Sequence, residues 1–115
     1  MDEKIEVLIT ANEYMEKLIS GTRKVIDLID DDNMDEAYNI ILYMGEGIAW
    51  ISDVIRLTKD VHREEIDLNI LNEKLNEIVE ALENGDNILL RDLFNYEILP
   101  ELEKIHRLIK IIISN

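Results

Sequence analysis

A chain of 115 residues with 47% apolar and 33% charged residues is expected to form a single helical-bundle domain, 1–115, with one core, and it lies outside the composition of disordered segments. Its net charge of −14 argues against nucleic acid as a ligand, because phosphate binding needs a basic face and the Lys and Arg residues are scattered, whereas a basic partner is electrostatically easier. The absence of cysteine excludes disulfides, thiol catalysis and thiolate metal sites.

Four glycines and one proline favour long helices over strands with frequent turns. The start Met1-Asp2-Glu3-Lys4 lacks the basic and apolar regions of a signal peptide. No stretch approaches the roughly 18 uncharged apolar residues of a membrane span. A cytoplasmic protein with no membrane contact is the expectation.

From Ile5 the apolar residues step through Leu8, Met15, Ile19, Ile26 and Ile29, with Asn12 and Thr22 as polar interruptions. This spacing predicts one long helix from Asp2 to about Asp30 with a face towards a neighbour. Gly21 inside it costs about 1 kcal/mol relative to Ala unless close packing uses the missing side chain. Asp30-Asp31-Asp32-Asn33 then stops the first helix and starts the second. Asn33 and Glu36 stand at capping-box spacing, with Asp32 as the alternative N-cap, and so short a connection makes an antiparallel hairpin.

The second helix, Met34 to Thr58, carries two adjacent series. One is Ala37, Ile41, Met44, Ile48, Ile51 and Ile55; the other is Ile40, Tyr43, Gly47, Trp50, Val54 and Leu57. Together they cover an arc of roughly 200°, wider than the ~100° stripe a surface helix needs, so more than one neighbour must cover it. Asp60 to Glu65 closes the second connection, with Asp60 as the expected N-cap. Helix three runs to about Glu83 with Leu68, Leu71, Leu75, Ile78 and Leu82 inward on a narrow stripe.

Asn84-Gly85-Asp86 supplies the third turn, Gly85 taking the left-handed position and Asp86 capping the next helix. The inward residues of helix four are Leu90, Phe94, Ile98, Leu102, Ile105, Ile109 and Ile112, and steps of four cluster around Pro100. Pro100 removes the amide that would bond the Tyr96 carbonyl, which predicts a kink. Lys104, Arg107 and Lys110 suit the negative end of this helix. A weak repeat pairs Val25, Leu28, Asp32, Asn33, Met34 and Ile40 with Val79, Leu82, Asp86, Asn87, Ile88 and Phe94. The expected architecture is an all-α, antiparallel four-helix bundle of two helical hairpins, helix four kinked at Pro100.

Residues 83–105, with the Gly85-Asp86 turn, the Tyr96-Glu97 pair and Pro100, resemble the C-terminal part of a family of small uncharacterised helical proteins from Gram-positive bacteria. The resemblance implies no activity. In size and helix pattern the chain is also similar to the flagellar export chaperones, small acidic bundles that sequester a partner's helices.

No residue set makes a recognisable catalytic constellation. Glu103 and His106 have the Glu-x-x-His spacing of di-iron bundles, but no second pair exists, since Lys59 stands where His62 would need its glutamate; Glu103 is expected to pair with Arg107 one turn on. The acidic run after Asp31 begins like a calcium loop but has Glu36 where glycine is needed and Leu42 where glutamate is needed, so helix capping explains it. Ser20, Ser52 and Ser114 lack a His and carboxylate at suitable spacing, and no glycine-rich loop could hold phosphate. No cofactor or metal is expected.

Two clusters are candidates for a partner. Tyr43, Gly47, Trp50, Val54 and Leu57 form an aromatic-flanked apolar stripe with a glycine notch, able to accept another helix or to serve as an internal core seam. Glu97 and Glu101, like charges one turn apart beside Tyr96 and the kink, either receive a Lys or Arg from a partner or turn into solvent. The expectation is a non-enzymatic protein-association module, acting as a homodimer or as an adaptor or chaperone that binds a partner helix through helices two and four. The competing class is an enzyme or sensor with a metal or small ligand in the bundle core.

Overall fold

A computed structural model describes residues 2–114, so Met1 of the acidic start lies outside the described residues. Three helices, α1 (Glu3–Asp30), α2 (Met34–Leu57) and α3 (Asn69–Asn84), precede a last rod made of α4 (Asn87–Leu93), one wide turn (Phe94–Ile98) and α5 (Leu99–Ile113). The chain is an all-α four-helix bundle of two antiparallel hairpins, elongated to 46 × 22 × 19 Å.

The Asp2 carboxylate starts α1 by accepting from the Lys4 amide at 2.8 Å, with Glu3 and Glu6 at the positive end of the helix. α1 is the shared element of the bundle. It packs on α2 along one side and on α4, the wide turn and α5 along another. It therefore buries the expected Leu8, Met15, Ile19, Thr22 and Ile26 and also Ala11, Leu18 and Val25. Buried Thr22 donates its hydroxyl to the Leu18 carbonyl at 2.9 Å, which satisfies the polar group without a tertiary partner.

The first and third turns share one chemistry. Asp32 adopts φ 58°, its amide bonds the Ile29 carbonyl at 3.0 Å, and the Asn33 amide bonds the Leu28 carbonyl at 2.8 Å. Asp32 thus closes α1 and is not the N-cap of α2. Asn33 sits at the N-cap position of α2 but donates its side chain to the Glu36 carboxylate at 3.1 Å, leaving no side-chain cap on the backbone. Gly85 repeats the left-handed turn with φ 63°, the Asp86 amide bonds the Ala81 carbonyl at 2.9 Å, and the Asp86 carboxylate caps α4 through the Leu89 amide at 3.1 Å. The structural match of Asp32 to Gly85 is one residue out of step with the sequence pairing of Asp32 and Asp86, so the repeated residues do not hold equivalent places in the two turns.

α3 begins later than the sequence predicts. Thr58 ends α2 by donating to the Val54 carbonyl at 2.7 Å and meets His62 Nε2 at 2.9 Å. Lys59–Val61 make one tight turn, and irregular backbone then runs to residue 68 with Ile66 buried. Asp60 caps nothing here. Its carboxylate takes the Lys4 ammonium at 2.6 Å, which holds the acid below and the amine above their ordinary ranges. Asp67 instead accepts from the Asn69 amide at 2.9 Å where α3 starts.

The last rod is interrupted on the N-terminal side of Pro100. The Leu99 amide bonds the Phe94 carbonyl, five residues back, and Pro100 has no amide. The α-helical donors of both the Asn95 and Tyr96 carbonyls are therefore missing, one more than proline alone removes. The wide turn also explains the steps of four. Each such step drifts about 40° along a regular helix, and one extra residue in a wide turn sets the phase back by roughly 100°, which keeps Leu90, Phe94, Ile98 and Leu102 all buried. Two contacts join the hairpins at one end: Arg91 holds the Asp30 carboxylate at 2.8 and 3.2 Å, and Tyr38 donates to Asn87 at 3.2 Å.

Candidate functional site

The predicted stripe on α2 divides into covered and open parts. Gly47 and Val54 are buried, Trp50 is at the margin of exposure, and Tyr43 and Leu57 are exposed by 74% and 65%. The glycine notch is occupied from within the chain. Tyr14 of α1 lies over Gly47 so closely that a Cβ there would overlap the phenol ring, and it meets Trp50 edge to face at 5.8 Å between ring centres. Gly47, Trp50 and Val54 thus belong to the seam between α1 and α2.

Tyr96 and Glu97 of the wide turn and Glu101 of α5 stand apart from that stripe, because α1 lies between α2 and the last rod along most of their length. The two predicted clusters, one on α2 and one on the last rod, therefore do not meet in one surface. Tyr96 is exposed, and Glu97 and Glu101 are half-buried. Glu97 faces Lys74 of α3, whose ammonium is held above its ordinary range by the Glu77 carboxylate at 2.9 Å and by the charges of Glu97 and Glu73. Lys74 makes its ion pair with Glu77, and Glu97 lies near enough to add to the field on the same ammonium. Glu103 turns to Arg23 of α1 at 3.8 Å rather than to Arg107. Among the described residues no three His, Asp or Glu side chains converge as a metal site would require.

The open apolar surface lies instead between α2 and α3. These two helices scarcely approach one another, since each packs on a different part of the bundle and the irregular residues 62–68 separate their ends. The result is a groove of about 700 Å³. Buried Met44, Ile48, Ile78 and Phe94 form its bottom, and half-buried Leu75 and Leu82 line the α3 side. Leu42 and Val79 remain exposed by 71% and 51% at its rim. Gly45 and Ala49, one helical turn apart on α2, leave backbone accessible there, and nothing lies within 4 Å of a Cβ built on Gly45. Small residues at this spacing allow a second helix to approach closely.

Glu46 is the one charged residue among those lining the groove, and the two helices that flank it are acidic along their length. α2 and α3 carry Asp35, Glu36, Glu46, Asp53, Glu73, Glu77, Glu80 and Glu83 against Arg56 and Lys74 alone. Both cations are engaged within their own helices, by Asp53 at 2.8 Å and Glu77 at 2.9 Å. Of the groove residues, Ile41, Met44, Ile48, Leu75, Ile78, Leu82 and Phe94 are legible in the sequence as inward positions. Leu42, Gly45, Ala49 and Val79 are not. The available signal was a third, interrupted line on α2, Leu42 to Gly45 to Ala49, together with an apolar Val79 outside the α3 stripe.

No helix among the described residues is long and apolar enough to cross a membrane. Over residues 6–108 the sequence matches the family model described as a domain of unknown function, DUF8042. No curated protein and no solved structure matches the chain.

Proposed function

The chain belongs to the DUF8042 family, and we propose that it acts by protein association, seating an amphipathic helix of a partner in the groove between α2 and α3. The observation that carries this reading is the groove itself, apolar at its bottom and with the small residues Gly45 and Ala49 on its α2 side, where a helix could approach closely. Covering the exposed remainder of Leu42 and Val79 contributes on the order of 1 kcal/mol or more per side chain, a drive the monomer leaves unused. The partner helix carries Lys or Arg beside its apolar face, because Glu46 lines the groove, both flanking helices are acidic overall, and their two cations are already paired. A second copy is the poorer occupant, since two chains of charge −14 repel. The proposed role is that of an adaptor or chaperone in the cytoplasm, without enzymatic chemistry, of the kind the size and helix pattern suggest.

The test uses a fluorescent synthetic helix with leucines on one face and lysines flanking them. Saturable binding is expected, weakened at least tenfold, or about 1.4 kcal/mol, by Gly45→Leu with Ala49→Leu and by exchange of the peptide lysines for glutamates. Binding indifferent to the groove substitutions overturns the assignment. Sedimentation showing a dimer that these substitutions dissociate replaces the partner helix with a second copy.

A further inference from the structure

A second cleft, of about 360 Å³, opens on the opposite seam of the bundle, between α1 and α5. Arg23, Arg107 and Lys110 converge on it, with Glu16 and Glu103 beside them and His106 on the inner side. In a chain of charge −14 this is a local reversal of sign, for the two carboxylates leave the cleft net positive. Neither Arg107 nor Lys110 forms an ion pair among the described residues. Arg23 reaches Glu103 only at 3.8 Å, too long for a hydrogen bond and loose enough to exchange. His106 is 8% exposed and lines the inner side of the cleft, with its Nε2 turned away from solvent and without a hydrogen-bond partner, so the ring forms a wall of the cleft and reports on it.

We propose that this cleft binds a small metabolite through an oxyanion, phosphate or carboxylate, held by Arg23, Arg107 and Lys110 against His106. Two guanidinium groups match the paired oxygens of either anion, and the volume lies within the range of about 300–1,000 Å³ usual for small-molecule sites. The acidic remainder of the surface repels the same anion, which confines it to this seam. Binding here is independent of the groove between α2 and α3.

The chain has only two histidines, and His62 lies away in the connection before α3, so it serves as an internal control. Inorganic phosphate and, separately, citrate are titrated at constant ionic strength and pH while the imidazole resonances are followed by NMR. The expected result is a saturable shift of His106 at millimolar anion with His62 unmoved, and at least tenfold weaker saturation in the folded Arg107→Gln, Lys110→Gln double variant. Tighter saturation by phosphate assigns a phosphorylated ligand, and by citrate a carboxylate. Arg23→Gln provides a second, exposed variant with the same expected loss. Absence of saturation with both anions, equal shifts of the two histidines, or unchanged curves in the folded variants would overturn the proposal.

Discussion

Gly45 and Gly47 stand on the same helix and meet opposite surroundings. Gly47 is buried beneath Tyr14, which fills the space a side chain would take and packs on Trp50. Gly45 opens on the groove, with nothing near it. A glycine notch in sequence therefore does not tell a docking site from a packing site. What separates them is the neighbour: α1 runs along α2 and supplies a tyrosine at the right level, whereas α3 packs on the last rod and leaves α2 uncovered.

The sharpest way to break the comparison is at Phe94, the point where the covered core and the open groove meet. It is 2% exposed, it opens the wide turn, and that turn packs on both α1 and α3. Phe94→Ala is expected to lower the unfolding free energy by about 3–5 kcal/mol, a large part of the about 5–15 kcal/mol of a typical domain. Urea unfolding measures it, and a loss below about 1 kcal/mol would mean that the groove bottom is not part of the packed core. Gly47→Leu comes next, with a loss of about 1–3 kcal/mol from overpacking against Tyr14. Its signature is a changed near-ultraviolet signal of Trp50. Adding Tyr14→Ala should recover part of the loss, and strictly additive effects would show that the notch and the ring do not interact.

The same division explains what was legible in the sequence. α1, α2 and the Gly85-Asp86 turn follow from spacing and local capping, because those signals act within a few residues. The start of α3 does not, since Asp60 has a cap-forming side chain but spends it on Lys4, across the bundle. The wide turn was half legible: proline identified the lost amide, and the steps of four carried the extra residue, yet only the backbone shows that Asn95 loses its donor too. The Tyr43 to Leu57 stripe stays open in the sequence between a docking surface and a core seam, because period alone cannot say which neighbour arrives. The groove arises from two helices that fail to pack, and the third line on α2 and Val79 on α3 mark uncovered apolar residues without showing which neighbour is missing.

Acidification probes the covered side again, at the α1 and α5 seam, through one ring. Burial first, then Lys110, holds the His106 imidazole below its ordinary value of 6.5, against the opposite pull of Glu16 and the Asn12 carbonyl. With the folded-state value depressed, the unfolded chain takes the proton first. The contribution of His106 is therefore complete above about pH 6.5 and falls away as the pH drops through the folded-state value. His62 is lowered by burial as well and acts in the same direction, so the informative quantity is the difference between the parent and His106→Gln. Chemical denaturation between about pH 5 and 8 should show a shallower acid decline for the variant, and a difference constant across that range would place the ring's cost elsewhere.

The smallest expected effect is at Gly45, and it has the opposite sign. Gly45→Ala adds a methyl into open space on an exposed helix, so helix propensity alone decides and the protein gains up to about 1 kcal/mol. Gly45→Leu should likewise be neutral to stabilising, by at most about 1 kcal/mol, while placing a branched side chain where the partner helix approaches. Thermal unfolding and peptide binding measured on the same two variants then separate the two glycines in full. If Gly45→Leu destabilised the fold as Gly47→Leu does, the groove would be closed in solution, and α3 would be the neighbour that covers α2.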